Sequence, residues 1–169
     1  MTTFTELAAE RFSTRSFKTQ PVEQEKIDSM LEAARLAPTA HNNQPQRIRA
    51  ITDPDELAFI DEVTRCRHDA PLVFLVAYDK NDAWVRPFDE HDSGEVDASI
   101  VTTYLMLQAT DLGLGSLWVM FFDPQKTSEL FGLDDSIVPV ALMPVGYRAD
   151  DAQPAKPHYE RKPLADLLI

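Results

Sequence analysis

The chain has little cysteine, little glycine and no long apolar run. Its 169 residues include one cysteine, Cys66, and five glycines. A single cysteine excludes an internal disulfide bond and a thiolate cluster for zinc or iron–sulfur, and it favours a reducing compartment. No segment approaches the ~20 apolar residues of a membrane span. The start of the chain lacks the basic and apolar parts of a signal peptide, so we expect a cytoplasmic protein with no membrane partner.

Basic side chains and metal-ligand patterns are also scarce. The chain has 16 Lys and Arg against 28 Asp and Glu, a formal net charge of −12. Because the basic residues are scattered, a nucleic acid would be repelled and is not an expected partner. The four histidines are dispersed without the spacing of metal ligands. We therefore predict no metal site.

What remains is the composition of an ordinary globular protein. The hydrophobic fraction is 44%, enough for a core without disulfides, and the length predicts one domain over residues 1–169. Periodicity and capping residues predict helices over 3–11, 21–37, 53–63, 95–112 and 123–132, and strands over 47–52, 72–78, 116–122 and 138–145. The second of these strands is apolar throughout, which is typical of burial on both faces. Pro139 and Pro144 confine the last strand to an edge or a bent position.

Two segments carry apolar residues that need a cover. The helix over 95–112 has few charged positions on any side, which indicates burial in the molecule or in a dimer interface. The tail from Tyr147 is rich in proline and is predicted to be extended until its end. It closes on apolar residues, which we expect to lie on a partner subunit: Leu164, Leu167, Leu168 and Ile169. The charged stretch 79–93 fits either a substrate lid or a solvated loop.

Arg11, Ser13 and Arg15 form the first polar constellation. In an extended segment, alternation at period two places all three side chains on one side. Two guanidiniums and a hydroxyl on one edge suit a phosphate or the edge of a flavin. The alternative is a solvated turn after a helix, where polar residues are ordinary.

The second constellation is the run Ala-Pro-Thr-Ala-His-Asn-Asn-Gln-Pro at 37–45. Its neutral amides supply both donors and acceptors, which the edge of a uracil-like ring requires. The alternative is a helix-to-strand loop made of turn formers.

The third constellation is Leu-Gly-Leu-Gly-Ser-Leu-Trp-Val-Met-Phe-Phe at 112–122. It is not a dinucleotide fingerprint, because the third glycine is missing and the glycines follow a helix instead of a strand. Taken alone, this run fits a helix stop followed by a core strand.

Together these motifs resemble those of the nitroreductase family. The resemblance covers most of the chain, and its four motifs are Arg-x-Ser-x-Arg at 11–15, Ala-Pro-Thr-x-x-Asn-x-Gln-Pro at 37–45, Leu-Gly-Leu-Gly-Ser-x-Trp at 112–118 and Arg-Lys-Pro-Leu at 161–164. It implies an α+β fold in which helices flank a central, mostly antiparallel sheet and the C-terminal tail extends onto the partner subunit of a homodimer. It also implies FMN as cofactor, NADH or NADPH as reductant, and ping-pong hydride transfer through flavin N5 to an organic acceptor such as a nitroaromatic, quinone or activated alkene.

The resemblance assigns roles to residues of this chain. Arg11, Ser13 and Arg161 would contact the phosphate and ribityl chain of FMN. Arg15 would lie by the N1–C2=O edge of the ring, where a guanidinium stabilises the charge of reduced flavin. The implied cofactor-binding residues are Arg11, Phe12, Ser13, Arg15, Pro38, Thr39, Ala40, Asn42, Gln44, Trp118, Val119, Met120 and Arg161.

The implied catalytic residues are Arg15, Met120 and Phe121. The last two fall where the family presents a backbone N–H to flavin N5, a role that requires the amide and no particular side chain. Two alternatives are other chemistry on the same scaffold, such as dehydrogenation or dehalogenation, and a flavin-binding protein without turnover.

Two positions depart from the family pattern. Many relatives carry a second basic residue two positions before the one matching Arg161, and here Tyr159 stands in that place. Lys156 or Lys162 could compensate for it. Gln46 stands where an aromatic residue is frequent, which affects the wall of the expected substrate pocket and not the cofactor.

Overall fold

An antiparallel sheet with helices on both faces organises the chain in a computed structural model that describes residues 3–169. The helices are α1 (Phe4–Glu10), α2 (Gln24–Arg35), α3 (Pro54–Val63), α4 (Gly94–Asp111) and α5 (Pro124–Phe131). The strands are β1 (Gln46–Ile51), β2 (Leu72–Asp79), β3 (Gly115–Ser116) and β4 (Ile137–Gly146), in the spatial order β1-β2-β4-β3. The α+β class predicted from the motifs is confirmed.

Local side-chain chemistry starts and stops the helices. At α1 the Thr3 hydroxyl accepts the Glu6 N–H at 3.3 Å and the Glu6 carboxylate accepts the Thr3 N–H at 2.7 Å, a complete capping box. At α5 the Asp123 carboxylate accepts the Lys126 N–H at 3.0 Å. Gly132 ends that helix in the left-handed region, with φ 59°.

The strand β2 lies at the centre of the sheet and separates two apolar layers. Its side chains alternate between the layers, because neighbouring residues of a strand point to opposite faces. Phe74 and Val76 pack with α2 and α4, whereas Val73 and Leu75 pack toward α3 and α5. All four are buried, as the uniformly apolar run predicts.

The last strand is internal and bent. β4 pairs with β2 on one side and β3 on the other, so the edge position that its prolines allowed is wrong. The bent alternative is confirmed, because the register shifts between Val76, opposite Ala141, and Ala77, opposite Pro139. Such a bulge accommodates a proline, which has no N–H for the ladder.

The strand predicted over 116–122 is much shorter than expected. It pairs regularly only at Gly115–Ser116, and Val119 then makes an isolated bridge to Leu142. Beyond that bridge the backbone binds the end of α3: Phe121 C=O accepts the Thr64 hydroxyl at 2.6 Å, and Asp123 N–H donates to Val63 C=O at 3.1 Å. The apolar composition of this run predicted burial but could not predict this change of partner.

The C-terminal tail also differs in one place from the extended chain predicted. A 3-10 helix spans Lys156–Tyr159. Pro157 is tolerated in its first turn, and the His158 N–H donates to Ala155 C=O at 2.8 Å. A second 3-10 helix, Leu164–Leu167, lies near the end. Among residues 3–169 no helix combines the length and the apolar character needed to cross a membrane.

Candidate functional site

The segment 11–15 presents its polar residues on one side, as period-two alternation predicts. Phe12 and Thr14 point inward and are 8% and 0% exposed. The segment is held against β3 by the Thr14 N–H, which donates to Ser116 C=O at 2.9 Å. Arg11, Ser13 and Arg15 are thereby left on the outer side.

The C-terminal tail brings a third guanidinium to this surface. Arg161 lines the same 290 Å³ cavity as Arg11, Ser13 and Arg15. The His158 ring packs edge-on against Phe12, with ring centroids 6.2 Å apart, and so anchors the tail there. Residues separated by about 150 positions therefore meet in one cavity, which we call the cationic cavity: Arg11, Ser13, Arg15, Ala155, Pro157, His158 and Arg161.

The charges of the cationic cavity have no counterion in the part of the chain that the structure describes. Within residues 3–169, none of Arg11, Arg15 and Arg161 forms an ion pair. The pKa of Arg11 is lowered from its usual value, first by partial burial and second by the charge of Arg161. Like charges held together at a partly buried site make the cavity a receptor for an anion.

The amide loop, residues 38–44, has a strained backbone. His41, Asn42 and Gln44 all have positive φ, between 52° and 55°, a region that costs non-glycine residues free energy. Several internal bonds hold this conformation. The Thr39 hydroxyl accepts the Gln44 N–H at 3.1 Å, and the Gln44 side-chain amide donates to Asn42 C=O at 3.2 Å.

Asp97 fixes the amide loop from beneath, and sequence reasoning missed it. Its side chain is only 2% exposed. One carboxylate oxygen accepts the Ala40 N–H at 2.9 Å and the other accepts the Ser93 hydroxyl at 2.7 Å. The sequence signal was an acidic residue in the first turns of an otherwise apolar helix, which by itself indicates only a favourable helix dipole interaction.

An aromatic pair joins the amide loop to the charged stretch 79–93. The rings of His41 and Trp84 stack with centroids 5.1 Å apart at 17°. Beyond Trp84 the stretch folds back on itself, with a bridge between Val85 and Asp92, and it presents Phe88 at 93% exposure. This stretch therefore contacts the amide loop through Trp84 and leaves Phe88 at the surface.

The Met120–Phe121 segment is exposed although its sequence is apolar. The two side chains are 63% and 65% exposed. Met120 borders a cavity of 220 Å³ that includes Tyr78 and Glu95, and a second one of 450 Å³ that continues along Phe121 to Pro124. Exposed apolar side chains beside cavities suit contact with a planar apolar ligand.

The residues that precede this segment are turned toward the interior. Val119 is 4% exposed, and its backbone N–H and C=O both pair with Leu142. Trp118 lines a groove with Val96 and Ile100 of α4. Its indole N–H is buried and has no hydrogen-bond partner among residues 3–169.

Only part of the predicted site converges within one chain. Arg11, Ser13, Arg15 and Arg161 line the cationic cavity, whereas the residues of the amide loop and of the Met120–Phe121 segment do not. Cys66 is a partly buried free thiol. Across the described residues, no three His, Cys, Asp or Glu side chains come together as a metal site would require.

Fold and cavity together define an α+β protein that gathers three guanidinium groups in one cavity beside an antiparallel sheet. A sequence model of the Nitroreductase family matches residues 8–67 and 66–147. The chain belongs to the Nitroreductase family, as its motifs predict.

Known structures and sequences agree with this assignment. A nitroreductase family protein from Clostridium difficile 630 is 38% identical, with TM-score 0.94 and coverage of 99% of this chain and 98% of that one. An FMN-dependent nitroreductase from Clostridium difficile R20291 is 27% identical, with TM-score 0.75 and coverage of 88% and 89%. An NADH dehydrogenase from Thermus thermophilus is 27% identical, over an alignment of 194 positions that covers 96% of this chain and 93% of that protein. The relatives thus include an FMN-dependent enzyme and an NADH dehydrogenase, in agreement with the predicted flavin and nicotinamide ligands.

Proposed function

We propose that the chain is an FMN-dependent NAD(P)H oxidoreductase that acts as a homodimer on a small organic acceptor. The observation that carries the proposal is the convergence of Arg11, Ser13, Arg15 and Arg161 on one cavity, where the three arginines form no ion pair with the described residues. These residues belong to sequence motifs near opposite ends of the chain. Their convergence supports a single ligand with an anionic group.

The cationic cavity fits the phosphate of FMN. Arg11 and Arg161 repel each other, so a dianion between them removes an unfavourable interaction in addition to forming charge-assisted hydrogen bonds. The Ser13 hydroxyl supplies a neutral donor beside them. Arg15 is exposed at the same cavity, and its NH1 group donates to Ser13 C=O at 3.2 Å, which turns the guanidinium back along the segment toward the cavity.

The amide loop and the Met120–Phe121 segment suit the ring. Thr39, Asn42 and Gln44 offer neutral donors and acceptors. The hydrogen bonds within the loop hold its strained backbone in place before a ligand binds. Met120 and Phe121 offer apolar surface and backbone N–H groups. Neither set lines the cationic cavity of its own chain, and this supports a site that two subunits complete.

Apolar surface on two further elements supports the homodimer. On α4, Val96 and Tyr104 are 54% and 39% exposed, and on the tail Leu164 is 72% exposed. A second copy of the chain would cover this surface and would place the amide loop of one subunit near the cationic cavity of the other.

FMN held by these residues would supply a two-electron carrier between the nicotinamide and the acceptor, which would bind in separate events. For a quinone, one NAD(P)H and one proton give one hydroquinone and one NAD(P)⁺. For a nitro group, the same inputs give a nitroso group, water and NAD(P)⁺. The chain contributes orientation and charge: Arg15 stabilises the negative charge that reduction brings, and Met120 and Phe121 orient the reacting edge.

A complementation experiment tests the shared site. Chains carrying Arg161→Met are co-expressed with chains carrying Thr39→Val and Asn42→Gly, and the mixed dimer is purified by two different tags. We expect one FMN per mixed dimer with wild-type affinity, because one of its two sites combines an intact cavity with an intact loop. The glycine keeps the positive φ of Asn42.

Two outcomes would contradict the proposal. If the mixed dimer binds FMN no better than either variant alone, the site lies within one chain. If the wild-type protein binds no FMN, or binds it but is not reduced anaerobically by NADH or NADPH, the oxidoreductase assignment fails. Product analysis with a quinone, a nitroaromatic and an activated alkene then identifies the acceptor class.

A further inference from the structure

The Met120–Phe121 segment is irregular and exposed, yet its backbone is fixed at one carbonyl. The Thr64 hydroxyl donates to Phe121 C=O at 2.6 Å, and it accepts the Cys66 N–H at 3.1 Å. Thr64 is 5% exposed, so water competes little for this bond. A buried hydroxyl at the end of α3 thus sets the orientation of a residue that lies outside the sheet.

Arg65 holds the side chain of the same residue. Its guanidinium carbon lies 5.1 Å from the centroid of the Phe121 ring, within the range of a cation–π contact. The neighbouring carboxylates are engaged elsewhere: Asp61 pairs with Arg67 at 2.7 Å and Glu62 with Lys126 at 2.9 Å. Arg65 forms no ion pair with any residue of 3–169, which leaves it free to stack on Phe121.

We propose that Thr64 and Arg65 are positioning residues that hold Phe121, and with it the Met120–Phe121 peptide, in the orientation needed for hydride transfer. The proposal rests on the proposed function, because that function places this peptide at the reacting edge of the flavin. Neither residue touches the cavities that border Met120, so both act through Phe121.

The physical argument is one of angular precision. A peptide in an exposed, irregular segment samples several orientations unless a second contact restrains it. The Thr64 bond restrains Phe121 C=O, and the bridge between Val119 and Leu142 restrains the other end of the segment. Between these two points only the Met120–Phe121 peptide remains, and small displacements of groups that orient a reacting atom cost large factors in rate.

The test compares Thr64→Val, which removes the hydroxyl, with Thr64→Ser, which keeps it. For Thr64→Val we expect the rate of anaerobic flavin reduction by NAD(P)H to fall about 10-fold, with the Kd for FMN and the KM for the nicotinamide within about 3-fold of wild type. The midpoint potential of bound FMN should also change. Thr64→Ser should restore both the rate and the potential.

A second, weaker contrast addresses Arg65. Arg65→Met keeps a long apolar side chain but removes the cation, and Arg65→Lys keeps the cation. We expect Arg65→Met to lower the reduction rate about 3-fold and Arg65→Lys to recover most of it.

Each result has a distinct meaning. If Thr64→Val leaves the reduction rate and the potential within twofold of wild type, the positioning role is refuted while the oxidoreductase assignment stands. If Thr64→Ser fails as badly as Thr64→Val, the methyl group matters and the hydroxyl does not, which also refutes it. If the wild-type protein itself binds no FMN, the proposed function fails and takes this inference with it. Amide hydrogen exchange of residues 118–123 shows whether the loss of the hydroxyl loosens only this segment.

Discussion

The cationic cavity and the amide loop contain residues from the same set of motifs but are stabilised in opposite ways. Among the described residues Arg11 and Arg161 come together without a counterion, and partial burial followed by the charge of Arg161 lowers the pKa of Arg11. The amide loop has no Asp, Glu, Lys or Arg, and its backbone is held by the Thr39 hydroxyl at Gln44 and by the buried carboxylate of Asp97 at Ala40. We therefore expect a ligand to stabilise the cavity, whereas the loop is already formed without one. Substitutions in the two regions should differ in whether they affect binding, stability or both.

The largest expected effect is on the cavity. Replacing Arg11 and Arg161 together with Met removes two charged donors, and we expect the Kd for FMN to rise about 100-fold or more, since each charge-assisted bond contributes about 1.5–3 kcal/mol. Lys162→Met, in the same tail but outside the cavity, is the matched control and should stay near wild type. Fluorescence titration with FMN measures both. Equal losses in the control and the double variant would mean that net charge, and not the cavity, binds the ligand.

The next effect separates binding from stability in the loop. Asp97→Ala leaves the Ala40 N–H and the Ser93 hydroxyl without their partner, at a cost of about 1–3 kcal/mol in the free energy of unfolding. It should also weaken FMN about 10-fold, because the loop must then be ordered on binding. Asp97→Asn, which can still accept from Ala40, should recover most of both losses. Chemical unfolding and FMN titration are run in parallel, and a stability loss without any change in Kd would confine Asp97 to the fold.

A smaller effect is expected inside the loop itself. Thr39→Val removes the hydroxyl that accepts the Gln44 N–H, and we expect a loss of about 1 kcal/mol in unfolding free energy and a few-fold rise in Kd. Thr39→Ser keeps the oxygen and serves as its control. If the valine variant binds FMN as well as the serine variant does, the strain at Gln44 is held by contacts other than this hydroxyl.

The smallest effect concerns Arg161 in the absence of ligand. Without FMN, Arg161→Met relieves the repulsion felt by Arg11 but removes the bonds that the Arg161 guanidinium donates to Pro157 C=O and Glu160 C=O, so thermal unfolding should shift only slightly. With FMN in excess the gap should widen in favour of wild type, because wild type gains stability as RT ln(1 + [L]/Kd) with the lower Kd. Melting curves at several FMN concentrations measure this gap. A gap that does not grow with FMN would show that Arg161 acts only within the tail and not on the ligand.

The motifs predicted the arginine and serine residues of the cationic cavity better than they predicted the contacts around them. Alternation along 11–15 placed Arg11, Ser13 and Arg15 on one side because the period of an extended chain is a local property. The resemblance to the family implied that Arg161 lies beside these residues. The packing of His158 on Phe12, which anchors the tail there, had no signal in the sequence.

The overlong strand prediction and the choice between an edge and a bent β4 have the same physical origin. The strand predicted over 116–122 ends early because Phe121 and Asp123 bond to the end of α3, and β4 is internal because its bulge accommodates Pro139. In both cases an apolar pattern correctly indicated burial, but the identity of the hydrogen-bonding partner depends on segments that are distant in sequence.

Taken by itself, the sequence determined the helix starts at Thr3 and Asp123, the buried central strand, the alternation of Arg11, Ser13 and Arg15, and the family. These features are local, since caps and side-chain periods depend on a few neighbouring residues. Only the tertiary structure decided that Arg161 joins the cavity, that Asp97 holds the amide loop and that Thr64 binds Phe121. Each of these contacts spans more than 50 residues, and such distances are closed by the packing of the whole core, which no local pattern records.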